Sequence, residues 1–145
     1  MQTVAEAPNN ELWDLSISEV RGLLETKKVS PVELTEASLA RIAAVNDKLH
    51  AFITVTPDTA RSHAKLSEQR FMKGQPLSEF DGIPFALKDN IETAGIRSTS
   101  HSKLLIDNIP TEDATVAAKL NAAGGILLHG GSGLRRRALR QHARR

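Results

Sequence analysis

Ile17, Val20, Leu23 and Leu24 share one face of a 3.6-residue period, and they follow Ser16 directly, with Glu19 three residues beyond that serine. Serine at an N-cap and glutamate at the third helical position satisfy two backbone N–H groups reciprocally, so a first helix is expected here. The signal recurs at Ser30, where Pro31 takes the first helical position, Glu33 closes a capping box, and Val32, Leu39, Ile42 and Leu49 form an apolar stripe. AFITVT, residues 51–56, is a short β-branched run and predicts a strand. Thr56 as cap and Pro57 at the first position then start a third helix, which Gly74 ends. After the turn-like QPLSEFDG, residues 83–88 (IPFALK) predict a buried strand with Pro84 at its beginning, where no ladder donor is lost. In PTEDATVAAKLNAAGG, Thr111 or Asp113 is expected to start a helix with Val116 and Leu120 facing inward and Gly124 as its stop, before ILL resumes as a strand. Helices alternating with short apolar strands predict an α/β fold, a sheet with covered faces.

The bulk properties narrow the class. A chain of 145 residues with 40% hydrophobic and 25% charged side chains is ordinary for one soluble domain, and 3% aromatic content requires an aliphatic core. The absence of cysteine excludes disulfides, thiolate catalysis and cysteine-based zinc sites. No apolar run approaches the roughly 20 residues of a membrane span, and the polar, aperiodic first ten residues read as a disordered lead-in rather than a signal peptide. A cytoplasmic location is the expectation. The formal net charge of +2 hides an asymmetry: residues 133–145 hold six of the 19 basic side chains and no acid, leaving 13 basic against 17 acidic groups elsewhere, a net of −4. The expected organisation is a lead-in at 1–10, a domain at 11–128 and a divergent basic tail at 129–145.

Lys88 stands directly after the apolar run Ile83–Leu87. One reading has its ammonium snorkel to solvent or pair with Asp89. The other has partial burial favour the neutral amine, making a general base.

GIPFALKDNIETAGIRSTSHSKLL, followed by PTEDATVAAKLNAAGGILL, resembles the N-terminal part of the amidase signature family. The order is Gly-Ile-Pro, an apolar run, Lys-Asp-Asn, a Thr-x-Gly turn, Asp-Ala-Thr-Val and Leu-x-x-Ala-Gly, and the preceding SPVELTEASLARIAAVNDKLHAFITV is similar to the family's opening helix and strand. The resemblance covers residues 12 to 128 and implies a mixed sheet covered by helices. It also implies that Lys88 is the base of a Ser–cis-Ser–Lys triad, drawing a proton through a bridging serine from a nucleophilic serine that attacks a small-molecule amide. No metal or organic cofactor is implied. The same opening belongs to the A subunit of tRNA-dependent amidotransferases, which use glutamine as ammonia source.

Several features depart from that pattern. The family's two catalytic serines lie in a Gly-Gly-Ser-Ser-Gly-Gly-Ser loop many tens of residues beyond the lysine, and no such loop occurs in these 145 residues. The ending HGGSGLRRRALRQHARR reads as a shifted frame or a truncated gene. The chain is therefore expected to be inactive alone, and to leave apolar strand edges that promote self-association or a partly molten state. Ser98, Ser100 and Ser102 beside His101, and Ser132 near His129, read as solvated loops rather than replacement nucleophiles. His101 replaces the glycine of the family's Gly-Ser turn, so a change in that turn's backbone is expected. Gly125 and Gly130 have the spacing of a phosphate loop, but Gly131 stands where its lysine is required. The five histidines form neither HxH nor HExxH, so no metal site is expected. The rival reading is electrostatic, a six-arginine tail that binds nucleic acid or an anionic surface; it lacks interleaved aromatics.

Overall fold

The computed structural model describes residues 12–131. A 3-10 turn at Leu12–Asp14 leads into α1 (Ile17–Glu25), α2 (Pro31–Leu49) and α3 (Pro57–Met72), then β1 (Pro84–Phe85), α4 (Thr115–Ala122) and β2 (Ile126–Leu127). The lead-in and nearly all of the basic tail, including Ser132 and the six arginines, lie outside the described residues.

Both capping boxes form as the serine and glutamate spacing predicts. Ser30 Oγ accepts from the Glu33 N–H at 3.1 Å, and the Ser30 N–H donates to Glu33 Oε2 at 2.8 Å. Ser30→Ala is expected to cost about 1 kcal/mol. The urea midpoint should fall accordingly, and Ser30→Asp should recover it; an unchanged midpoint in the alanine variant would show that the cap does not stabilise α2.

β1 and β2 are parallel neighbours, with Pro84 opposite Ile126 and Phe85 opposite Leu127. Side chains alternate across a strand, so the two faces bury different residues. Ile126 and Leu128 join Leu39 and Ile42 of α2 and Ala60 and Ala64 of α3 in one apolar cluster. Leu127 and Leu87 pack with Ala117 of α4. A further cluster joins Leu12, Val20, Leu24, Leu34, Phe71 and Ile83. Helices thus lie against both faces, the covered α/β arrangement.

Four expectations are corrected. AFITVT is not a strand: only Phe52 bridges Gly131, antiparallel, through the Ile53 N–H to Gly130 O, and on the opposite edge the Asn46 side chain takes both backbone groups of Phe52, so no second strand can pair there. Leu49, the last residue of α2, is exposed, because the helix ends immediately after it at His50, φ 51°. α4 starts at Thr115 without a side-chain cap, since the Asp113 carboxylate is already accepting from the Ala94 N–H and the Asn121 amide. Ala117, not Val116, is the buried residue of that helix; Val116 is exposed and Leu120 half-buried against the cluster.

Candidate active site around Lys88

The loop before β1 is fixed by one carboxylate. Asp81 is fully buried and accepts from Arg70 Nε and a second Arg70 guanidinium nitrogen, both at 2.7 Å, from Ser67 Oγ at 2.7 Å and from the Leu77 N–H at 2.8 Å. Burial pushes the Asp81 carboxyl up, but the Arg70, Leu77 and Ser67 hydrogen bonds outweigh it and hold the group below the usual carboxylate range. Gly124 ends α4 at φ 89° beside this carboxylate; a Cβ there would sit 2.6 Å from Asp81 Oδ1. Only glycine satisfies both the conformation and the approach.

From the Phe85–Leu127 pair, Lys88 lies three positions further along one strand, while its partner Gly131 lies four positions further along the other. The extra residue makes a bulge, and His129 stands within it at φ 90°. Past the bulge the strands pair again: the Gly131 N–H donates to Leu87 O at 2.9 Å and the Asp89 N–H to Gly131 O at 3.1 Å. The backbone of Lys88 is therefore held on both sides.

Asp89 faces inward, 1% exposed. Its carboxylate accepts from the Thr99 N–H at 3.0 Å and from the Thr99 hydroxyl, while its carbonyl accepts from the Ser100 N–H at 3.2 Å. This arrangement ties the 98–102 loop to the strand end. Asp89 does not pair with Lys88, and among the described residues the lysine ammonium has no ion-pair partner. Of the two readings of Lys88 the structure shows the exposed side chain, without the Asp89 pair: Leu87 and Asp89 on either side of it turn to the interior.

The 98–102 segment is a loop but not a solvated one throughout. Ser98 and Thr99 are buried, and Ser98 exchanges hydrogen bonds with Asn108. Ser102 Oγ accepts from the Leu104 N–H and caps a 3-10 turn, while the His101 backbone N–H donates to the Thr99 hydroxyl at 3.2 Å. His101 takes φ 58°, the region glycine favours, so the histidine has not moved the backbone out of it.

In the sequence His129 stands out only as a neighbour of Ser132, yet the structure makes it the most enclosed imidazole among the described residues, 2% exposed. Burial holds it below the usual histidine range, against a hydrogen bond to the Thr54 backbone and the charge of Asp89. Its place between an apolar run and two glycines is the only sequence sign of this. Among the described residues no three His, Asp or Glu groups gather within reach of one metal ion, and no helix is long and apolar enough to cross a membrane.

The sequence model of the family described as Amidase matches residues 33–130. The chain belongs to the amidase signature family. Among curated relatives, the A subunit of the glutamyl-tRNA(Gln) amidotransferase of Geobacter metallireducens is 45% identical over 118 residues, covering 81% of this chain and 24% of that protein. Its counterpart in Geotalea daltonii is 46% identical, with the same coverage. The chain thus spans about a quarter of the length of the curated relatives it matches. Among solved structures, the native peptide amidase of Stenotrophomonas maltophilia superposes at TM-score 0.78 with 28% identity, covering 86% of this chain and 26% of that one. A fatty acid amide hydrolase superposes at TM-score 0.81 with 20% identity, covering 87% and 22%, a likeness of fold alone.

Proposed function

We propose that this chain provides the base-bearing part of an amidase-signature hydrolase that cleaves the C–N bond of carboxylic amides, with Lys88 as proton acceptor. The observation that supports it most is the position of Lys88: the family match runs across it, and backbone bonds to Gly131 fix the strand end on which it projects. In the reaction the lysine amine accepts a proton relayed through one serine from a second, whose oxygen attacks the amide carbonyl. The amine leaves with a proton, and water then releases the acyl group. Both serines and the oxyanion-holding loop belong to segments that these 145 residues do not contain. Lys88 is open to such a segment because it is exposed among the described residues.

The identity to amidotransferase A subunits favours a narrower second reading, in which the amide is glutamine and the protein works as one component of a cytoplasmic complex. The decisive experiment is a chimera in which residues 12–128 replace the matched segment of the Geobacter metallireducens protein, with and without Lys88. By itself the 145-residue chain is expected to release no ammonia from a panel of small amides, because a base without nucleophile or oxyanion donors cannot stabilise the tetrahedral intermediate. Ammonia release that disappears in Lys88→Ala would overturn that expectation.

A further inference from the structure

We infer that His129 is a pH-sensitive fastener: its neutral imidazole locks the bulge that holds the Lys88 strand end, and its protonation at mildly acidic pH releases that strand end.

Three observations meet at this residue. The first is enclosure, since His129 is 2% exposed within a bulge whose flanking backbone bonds join three segments. The Thr56 N–H donates to Leu128 O, the Ile53 N–H to Gly130 O, and Gly131 both donates to Leu87 and accepts from Asp89. The second is an unmatched atom. His129 Nδ1 is buried with no hydrogen-bond partner. A neutral ring protonated at Nε2 leaves Nδ1 as a bare acceptor, which is tolerable. A second proton would create a buried donor with nothing to receive it, together with a buried charge, and both are costly. The third is conformation. At φ 90° a residue other than glycine is held against its own preference, so the bulge depends on the packing of its side chain.

Titratable groups in the segments bonded to this bulge are few. Lys88 and Asp89 lie on the strand end, His50 immediately precedes the 51–56 segment, and His101 lies on the loop that Asp89 holds. Asp89 is the group whose charge acts on the imidazole, and it favours protonation, but burial outweighs it. The sign follows: because the folded protein disfavours the charged imidazole, the unfolded or opened chain binds more protons. The fastener is at full strength above the ordinary histidine range of about 6.5 and weakens as pH falls below it.

The test is amide hydrogen exchange of the 145-residue chain, read by NMR at pH 7.5 and pH 5.0 and corrected for the intrinsic pH dependence of exchange. Ile53, Asp89 and Gly131 are expected to lose protection several-fold at the lower pH, while Leu34 and Ala64 in the helices keep theirs. His129→Gly suits the backbone angle and removes the titration, so its protection at these amides should not change with pH. Equal protection at both pH values in the native chain, or the same loss in His129→Gly, would overturn the inference. Should the glycine variant not fold, the native imidazole decides alone: a His129 ring resonance that titrates at or above the free-histidine value refutes the fastener, and one that titrates below it supports it. None of these readouts depends on amide hydrolysis.

Discussion

Asp81→Ala is expected to destabilise the chain by about 3 to 5 kcal/mol, the range for removing one partner of a buried ion pair. The carboxylate is fully buried and satisfies the Arg70 guanidinium twice, the Ser67 hydroxyl and the Leu77 N–H. Alanine would strand all of these donors at once. Ser67 is itself buried, so water cannot replace the lost acceptor without opening the helix from the loop. Arg70 keeps partial access to solvent and recovers some hydration, which argues for the lower half of the range. Asp81→Asn should lose nearly as much, since its amide presents two donors to sites that already hold donors, and similar losses in both variants would assign the effect to charge and acceptor capacity rather than to volume. The measurement is the urea midpoint at pH 7, with the slope checked for two-state behaviour. A loss under about 1 kcal/mol would class Asp81 with ordinary surface ion pairs. The pH dependence has a definite sign. The folded carboxyl titrates below its unfolded range, so its contribution is complete above about pH 3.9 and is lost as pH falls through the lowered folded value.

That network also explains where the sequence was readable and where it was not. Local devices were legible because all their parts lie within one turn: Ser16 with Glu19, Ser30 with Glu33, Pro31 and Pro57 at the first helical positions, and Gly74 and Gly124 at positive φ after helix ends. The paired strands were legible as apolar runs, IPFALK and ILL. Asp81 gave no such sign, because Ser67 and Arg70 precede it by 14 and 11 residues and meet it only when α3 folds back on the loop. The 51–56 run misled for a related reason. Its composition favours a strand, but the Asn46 side chain, six residues before Phe52, occupies the backbone groups on the edge away from Gly131 and closes that edge to pairing. At the candidate site, the motif identified Lys88 but not its surroundings. Burial on a strand alternates residue by residue, so the neighbours Leu87 and Asp89 turn inward and carry the packing while Lys88 faces out.

In the chimera with the Geobacter metallireducens protein, Lys88→Ala is expected to lower kcat for ammonia release by about 10²- to 10⁴-fold, the usual contribution of a positioned general base. Lys88→Arg should fare no better, because a guanidinium stays protonated at every accessible pH and cannot accept the proton. What separates a catalytic from a structural role is the exposure of the side chain. Since Lys88 is exposed and forms no ion pair among the described residues, its replacement should move the urea midpoint by no more than a surface substitution does, about 0.5 kcal/mol. Activity lost with stability retained supports the base. Activity lost together with several kcal/mol of stability would assign Lys88 to the scaffold, and activity retained in Lys88→Ala would remove it from the chemistry. Exposure also sets the condition for catalysis. A lysine accepts a proton more readily where its surroundings withdraw it from water, and among the described residues Lys88 is exposed. On the proposed role, a segment that brought a nucleophile to Lys88 would therefore also have to cover it, so that one docking event would supply both the hydroxyl and the low-polarity environment in which the amine could take its proton.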